Sequence, residues 1–149
     1  MLPPVISFVI IEYYSVEDIK GCIVSIKTGC ENIPYEIIVS SNSCYLPETQ
    51  NKLKYDFPEI RWSFNKKNGG FAYAMNQGLK IAEGKYMAII NPDVRIKNGL
   101  TSMVEFMQSH PSVGAIAPLI VNKQGIIQDS ARTYVSVQRY IWRCIKRVI

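Results

Sequence analysis

Apolar positions along the chain fall into two alternating periods. Val5 to Ile11 is a near-continuous β-branched run, the composition of a strand buried on both faces. Tyr35 to Val39, Ile60 to Phe64 and Tyr86 to Ile90 are shorter runs of strand length. Helical spacing lies between them. After Ser15, with Asp18 three residues on as a variant capping box, Ile19, Cys22, Ile23 and Ile26 form one apolar face, closed by Thr28-Gly29. Pro47 opens a short helix through Gln50, Leu53 and Lys54. Phe71 to Ala82 puts Phe71, Ala74, Met75, Gly78, Leu79 and Ala82 on one side, and Glu83-Gly84-Lys85 ends that helix. Asn98-Gly99 opens another, with Leu100, Met103, Val104, Phe106 and Met107 expected inward, up to His110-Pro111. Val113 to Val121 reads as a strand with Pro118 marking an edge, bulge or split. Asn122 to Gly125 is a turn, and Ile126 to Gln128 a returning strand. Strands alternating with helices predict an α/β fold, an open and mostly parallel sheet with helices on both faces.

Composition narrows the class. The 149 residues fit one domain able to bury a core, with 48% hydrophobic and 19% charged residues. No apolar run approaches the ~20 residues of a membrane span. The start, Met1-Leu2-Pro3-Pro4, has no basic residue before its apolar run, unlike a secretory leader. A cytoplasmic protein is expected. Residues 130–149 carry Arg132, Arg139, Arg143, Lys146 and Arg147 and no acid, leaving 12 of the 17 basic residues to balance 12 acidic ones elsewhere. A neutral body argues against a nucleic-acid partner, which would need a basic face. Cys22, Cys30, Cys44 and Cys144 form no CxxC pair and have no metal-site spacing, so they read as reduced thiols.

The chemistry concentrates where strands end. Asn91-Pro92-Asp93-Val94 follows the fourth strand directly. Pro92 stops the strand, and the lone carboxylate of Asp93 is presented at its carboxyl edge, where open α/β sheets bind ligands. One oxygen ligand there suits Mg²⁺ or Mn²⁺ completed by water and substrate phosphate. The plainer alternative is a turn that only closes a loop. Glu12 follows the first strand, and Ser41 and Asn42 the second, so polar residues gather at three strand ends. Asn65 to Gly70 is a polar loop before the helix at Phe71, whose N-terminal amides could receive an anion.

Asn68-x-Gly70-Phe71-Ala72-x-Ala74-x-Asn76-x-Gly78, then a strand, then Asn91-Pro92-Asp93-Val94, resembles the family 2 glycosyltransferases of the GT-A, Rossmann-like fold. The nearest look-alikes are rhamnosyltransferase-like enzymes of bacterial surface polysaccharide synthesis. The resemblance runs from about Ile6 to about Tyr134. It implies a donor-binding domain over 1–134 and a nucleotide-diphosphate sugar as partner. Glu12, Tyr13, Ser41 and Asn42 would lie at base and ribose, and Asn68, Gly70 and Asn76 near ribose and phosphate. Asn91 and Asp93 stand at the Asp-x-Asp position, with Asp93 on the divalent cation. Arg132 matches a further position.

Departures from the family pattern are specific. Its aspartate after the second strand is Ser41 here, and its Asn-Tyr-Asn after the first is Glu12-Tyr13-Tyr14. Glu12 is therefore expected to reach across to the vacated place and supply the missing carboxylate to a base or ribose. A catalytic carboxylate, found in the family roughly a hundred residues beyond the metal turn, has no counterpart before Ile149. His110, before a proline, is a poor base. The chain thus reads as the donor-binding half of an inverting, metal-dependent enzyme truncated on its C-terminal side, or as a binding module without catalysis. The acceptor would be a glycan, lipid-linked at the inner membrane face. Residues 135–149 set Arg139, Arg143, Lys146 and Arg147 against Ile141, Trp142 and Ile145, the pattern of a helix on an anionic membrane surface.

Overall fold

The computed structural model describes residues 3–30 and 32–130. The chain divides into two compact units, Met1–Ser109 and His110–Ile149. In the first, strands β1 (Ile6–Glu12), β2 (Tyr35–Ser41), β3 (Ile60–Phe64) and β4 (Tyr86–Ile90) alternate with helices α1 (Val16–Gly29), α2 (Pro47–Asp56) and α3 (Phe71–Lys80). Helix α4 (Leu100–Ser109) follows β4. The sheet order is β3-β2-β1-β4, and all three pairings are parallel.

Every residue of β1 is buried, as its mostly apolar run requires of a central strand, with Ser7 and Glu12 as the polar exceptions. Alternate side chains then serve two cores. Ile6, Phe8 and Ile10 point with Ile37 and Val39 toward one face, where Ile19, Cys22, Ile23 and Ile26 of α1 and Leu53 of α2 close over them. Leu100 and Val104 of α4 pack at the margin of that core. Val9 and Ile11 point the other way, onto Ala74 of α3, with Met75 and Leu79 beside it. Helices therefore cover both faces. Helix α3 lies close because Gly78 brings no side chain: a methyl there would strike Val9 Cγ1.

At the amino-terminal end of the sheet a polar latch joins the strands. Ser7 Oγ donates to Glu36 Oε1 over 2.6 Å and accepts from the Gly84 amide at 2.7 Å. Arg61 Nη1 meets Glu36 Oε2 at 2.5 Å and Glu83 Oε1 at 3.0 Å.

Several expectations shift. Helix α1 starts at the expected residue, but no side-chain bond from Ser15 caps it. The Ser15 amide instead donates to Glu12 Oε1 at 2.9 Å, so the cap carboxylate comes from the strand before the helix rather than from Asp18. Phe106, expected inward, is exposed, since α4 offers only Leu100 and Val104 to the core. Phe71 is also exposed. Helical side chains lean toward the N-terminus, so the first residue of α3 overhangs the end of its helix instead of lying on the sheet.

In the second unit, Val113 to Val121 is not a strand. It contributes a single antiparallel bridge, Val121 to Ile127. Pro118 has no amide to give a ladder, and the expected turn dominates: Asn122 Oδ1 accepts from the Gln124 and Ile126 amides, and Gly125 takes φ +81°. Arg132 and the basic segment 135–149 lie outside the described residues. No described helix is long and apolar enough to cross a membrane.

Candidate functional site

A cleft of about 380 Å³ opens at the carboxyl ends of the strands. Its lining comes from four segments: Ile11, Tyr13 and Ser15 after β1, Asn42 after β2, Asn68, Gly70 and Phe71 at the start of α3, and Pro92 after β4. Of the residues expected to bind substrate, Tyr13, Asn42, Asn68 and Gly70 share this cleft, and Pro92 brings the Asp93 turn to its edge. Asn76 is exposed on α3 away from the lining.

The fork between the second strand and α3 is fixed by amides. Asn42 Nδ2 donates to the Gly70 carbonyl over 3.0 Å, and Asn42 Oδ1 accepts from Asn65 Nδ2 at 3.0 Å. Asn65 also donates to Ser40 Oγ at 3.1 Å, and its backbone amide reaches the Ser41 carbonyl. Asn68 Oδ1 accepts the Gly70 amide at 2.9 Å. Gly70 holds φ +82°, a left-handed value that glycine adopts without strain, and this sends the chain abruptly into α3. No acidic residue sits in the first turn of α3, so the positive end of its dipole meets no carboxylate of its own helix. Lys66 and Lys67 are exposed on the loop just before it.

Beneath the lining, Glu12 and Ser41 do meet, but inside the protein. They are the last residues of β1 and β2 and direct partners in register, not residues past the strand ends. Glu12 is 0% exposed and Ser41 1%. Glu12 Oε1 accepts from the Ser15 amide at 2.9 Å, Ser43 Oγ at 3.0 Å and Tyr45 Oη at 3.1 Å, while Oε2 accepts from Ser41 Oγ at 2.5 Å and Ser43 Oγ at 2.9 Å. No Lys or Arg among the described residues is within ion-pair distance of it. Burial, together with the Glu12 charge and hydrogen bond, raises the Tyr45 phenol, a bond from Ser43 acting against them. Ser43 ties the two loops further by accepting the Tyr14 amide at 2.7 Å. Tyr14 and Cys44, in those loops, both carry φ +50°, strain held in place by this network.

Asp93 is exposed on the turn, and its carboxylate makes no hydrogen bond or ion pair among the described residues. The turn itself is closed by the Val94 amide on the Asn91 carbonyl at 3.2 Å, which also faces the Cys22 thiol at 3.9 Å. Burial pushes that thiol up to about 11, with Asp93 adding to the rise and Arg95 opposing it. Among the described residues no three His, Cys, Asp or Glu side chains cluster. A cation here would rest on Asp93 and on oxygens of its own ligand, which suits Mg²⁺ or Mn²⁺ and not a closed protein cage.

Sequence reasoning missed Asn65, Ser43, Tyr45 and Phe71. A buried glutamate ending a mostly apolar strand needs several donors. The hydroxyl-rich run Ser40-Ser41-Asn42-Ser43 was the available sign of where they come from.

Comparison with known proteins identifies the family and the fold. Residues 7–148 match the family described as Glycosyl transferase family 2. The chain is 32% identical over 102 residues to the minor teichoic acid biosynthesis protein GgaB of Bacillus subtilis (strain 168), covering 67% of this chain and 11% of that protein. Among solved structures, S. aureus TarS residues 1–349 superpose with a TM-score of 0.58 at 22% identity, over 71% of this chain and 33% of that one. The same TarS fragment in complex with UDP gives 0.56 at 20%, over 71% and 32%. The mannosyltransferase PcManGT of Pyrobaculum calidifontis, solved with GDP-Man and Mn²⁺, gives 0.50 at 18%, over 62% of this chain and 28% of that one. The chain thus spans about a tenth of the curated relative it matches and a third or less of the solved ones.

Proposed function

The chain belongs to glycosyl transferase family 2, and we propose that it binds the sugar-nucleotide donor of a metal-dependent, inverting transfer in surface polysaccharide synthesis. The observation that carries this reading is the carboxylate of Asp93, without a hydrogen bond or ion pair among the described residues, on the turn at one edge of a cleft whose other wall is the N-terminus of α3, with no acidic residue in its first turn. A diphosphate suits that pairing: backbone amides at the helix end would donate to its oxygens, and a cation on Asp93 would join it from the other side. The relatives' names support the ligand class, since one was solved with UDP and another with GDP-Man and Mn²⁺.

In this assignment Tyr13, 55% exposed, and Phe71, 54% exposed, offer ring faces at the cleft to the base and the ribose. Asn68 and Gly70 set the loop against the phosphates, and Asn42 holds that loop through the Gly70 carbonyl. Glu12 and Ser41 support the site from beneath, being buried and fully engaged. Asn91 contributes its carbonyl to the turn, while Asn76 and Arg132 are left without an assigned contact. When bound, the divalent ion would supply positive charge to the departing nucleoside diphosphate. In the transfer, an acceptor hydroxyl attacks the anomeric carbon, the bond to the diphosphate oxygen breaks, and the hydroxyl proton passes to a base. No described residue is assigned that last role. The acceptor is proposed to be a growing lipid-linked glycan, with the basic sequence 135–149 facing anionic lipid at the inner membrane surface, on the strength of its charge pattern alone.

Calorimetric titration of UDP, GDP, CDP and dTDP with and without Mn²⁺ tests the reading. Wild-type protein should bind at least one of them more tightly with Mn²⁺, and Asp93→Asn should lose the Mn²⁺ effect while keeping its fold. Equal affinities for the two proteins, or no nucleotide binding by either, would overturn it.

A further inference from the structure

The turn that carries Asp93 is gripped from behind by the residue two positions later. Arg95 Nη1 donates to the Pro92 carbonyl at 3.1 Å and to the Val94 carbonyl at 2.9 Å, the carbonyls of the residues before and after Asp93. The rest of its guanidinium lies flat on Gly21 of α1: a methyl at Gly21 would fall within 2.6 Å of both Cζ and Nε. The segment beyond continues along the same helix. The Ile96 amide donates to Ser25 Oγ at 3.1 Å, and a methyl on Gly29 would stand 3.0 Å from Ile96 Cγ2 and 3.2 Å from Leu100 Cδ1. Gly21, Ser25 and Gly29 are one stripe of α1 at four-residue spacing, and Arg95, Ile96 and Leu100 lie in it.

We infer that Arg95 is a positioning residue for the Asp93 carboxylate, its Nη1 tying the carbonyls of Pro92 and Val94 together and the Gly21 notch seating the rest of its guanidinium. The inference rests on the reading of Asp93 as the cation-binding residue. Two neighbouring features fit a dedicated device. Arg95 forms no ion pair with Asp93, so the carboxylate is left free. Both carbonyls are also taken by one nitrogen, which leaves the remaining donors to pack against the helix. A lysine keeps the charge but has no planar guanidinium to lie against the helix while one nitrogen reaches both carbonyls. Residues that orient a metal ligand typically change metal affinity 10–100-fold when altered.

The experiment measures Mn²⁺ affinity, not turnover. Each protein is saturated with whichever of UDP, GDP, CDP and dTDP it binds most tightly, and Mn²⁺ is titrated by calorimetry or by electron paramagnetic resonance. Arg95→Lys is expected to weaken Mn²⁺ about tenfold, with a far-ultraviolet circular dichroism spectrum and a metal-free nucleotide affinity like those of wild type. Gly21→Ala keeps the arginine but fills its notch and displaces the guanidinium, and it favours helix α1 on propensity. It should weaken Mn²⁺ in the same way without unfolding the chain. Wild-type Mn²⁺ affinity in Gly21→Ala, or in Arg95→Lys and Arg95→Met together, overturns the role of Arg95 while leaving Asp93 as the ligand. Loss in Arg95→Met but not in Arg95→Lys overturns the seated guanidinium in favour of charge alone. Absence of Mn²⁺ binding in wild type removes both readings together.

Discussion

Ser41 Oγ donates to Glu12 Oε2 over 2.5 Å, and the two residues are opposite partners at the ends of the central strands. The glutamate reaches toward the place where the family pattern carries an aspartate, but it stops at the hydroxyl that stands there, and three further donors close around it. Glu12 therefore stabilises the loops that line the cleft without entering it.

Glu12→Gln should accordingly act on stability. The amide nitrogen would face hydroxyls that now donate, leaving buried donors unsatisfied at a cost of roughly 1–3 kcal/mol. Urea denaturation should record that loss as a lower midpoint at unchanged slope. Ser41→Ala, which removes one donor of four, should cost less. A wild-type midpoint for Glu12→Gln would mean that the network is dispensable and that the strain at Tyr14 and Cys44 is held by something else.

Much of the fold was legible because burial on two faces leaves a distinctive composition. Val5 to Ile11 could only be a central strand, and Ile19, Cys22, Ile23 and Ile26 could only face a sheet. The turn Asn91 to Val94 was legible because proline after an apolar run ends a parallel strand in few ways. Glu12 was harder. Periodicity assigns a side chain to a face but does not reveal which groups from a following loop fold under it, so Ser43 and Tyr45 stayed invisible. Phe71 and Phe106 were misassigned for another reason. Helical spacing presumes a partner surface along the whole helix, whereas Phe71 overhangs the cleft and α4 touches the core mainly through Leu100 and Val104. The run from Val113 to Val121 lacked alternation, and apolar content alone does not make a ladder.

Thiol chemistry separates the cysteines. Cys22 and Cys30 are buried, and burial pushes both thiols up to about 11, so at pH 8 roughly one in a thousand is ionised. Cys44 is exposed in the loop after β2. Iodoacetamide at pH 8, followed by peptide mass spectrometry, should label Cys44 within minutes, and Cys22 and Cys30 only in denaturant. Native labelling of Cys22 at the rate of Cys44 would show that α1 does not hold the Asn91 turn as tightly as the contact at 3.9 Å implies.

The latch at the opposite end of the sheet predicts an acid-sensitive component of stability. Burial acts to raise the Glu36 carboxyl, but bonds from Ser7, the Glu83 amide and Arg61 outweigh it and hold the group below its usual 4.5. The folded chain therefore binds fewer protons than the unfolded chain between the lowered value and 4.5. The contribution is complete above 4.5 and is lost as pH falls through the folded value. Glu36→Gln should lower stability at pH 7 by roughly 1–3 kcal/mol, since charged hydrogen bonds are lost. The gap between variant and wild type should narrow steadily below pH 4.5. Glu59, also held low by Lys27, is a surface pair, and Glu59→Gln should change stability by less than about 1 kcal/mol at either pH. Urea midpoints at pH 7, 4 and 3 read all three proteins. A constant gap between wild type and Glu36→Gln across that range would mean that Glu36 is not the titrating group, and that the latch holds through Arg61 and Glu83 without it.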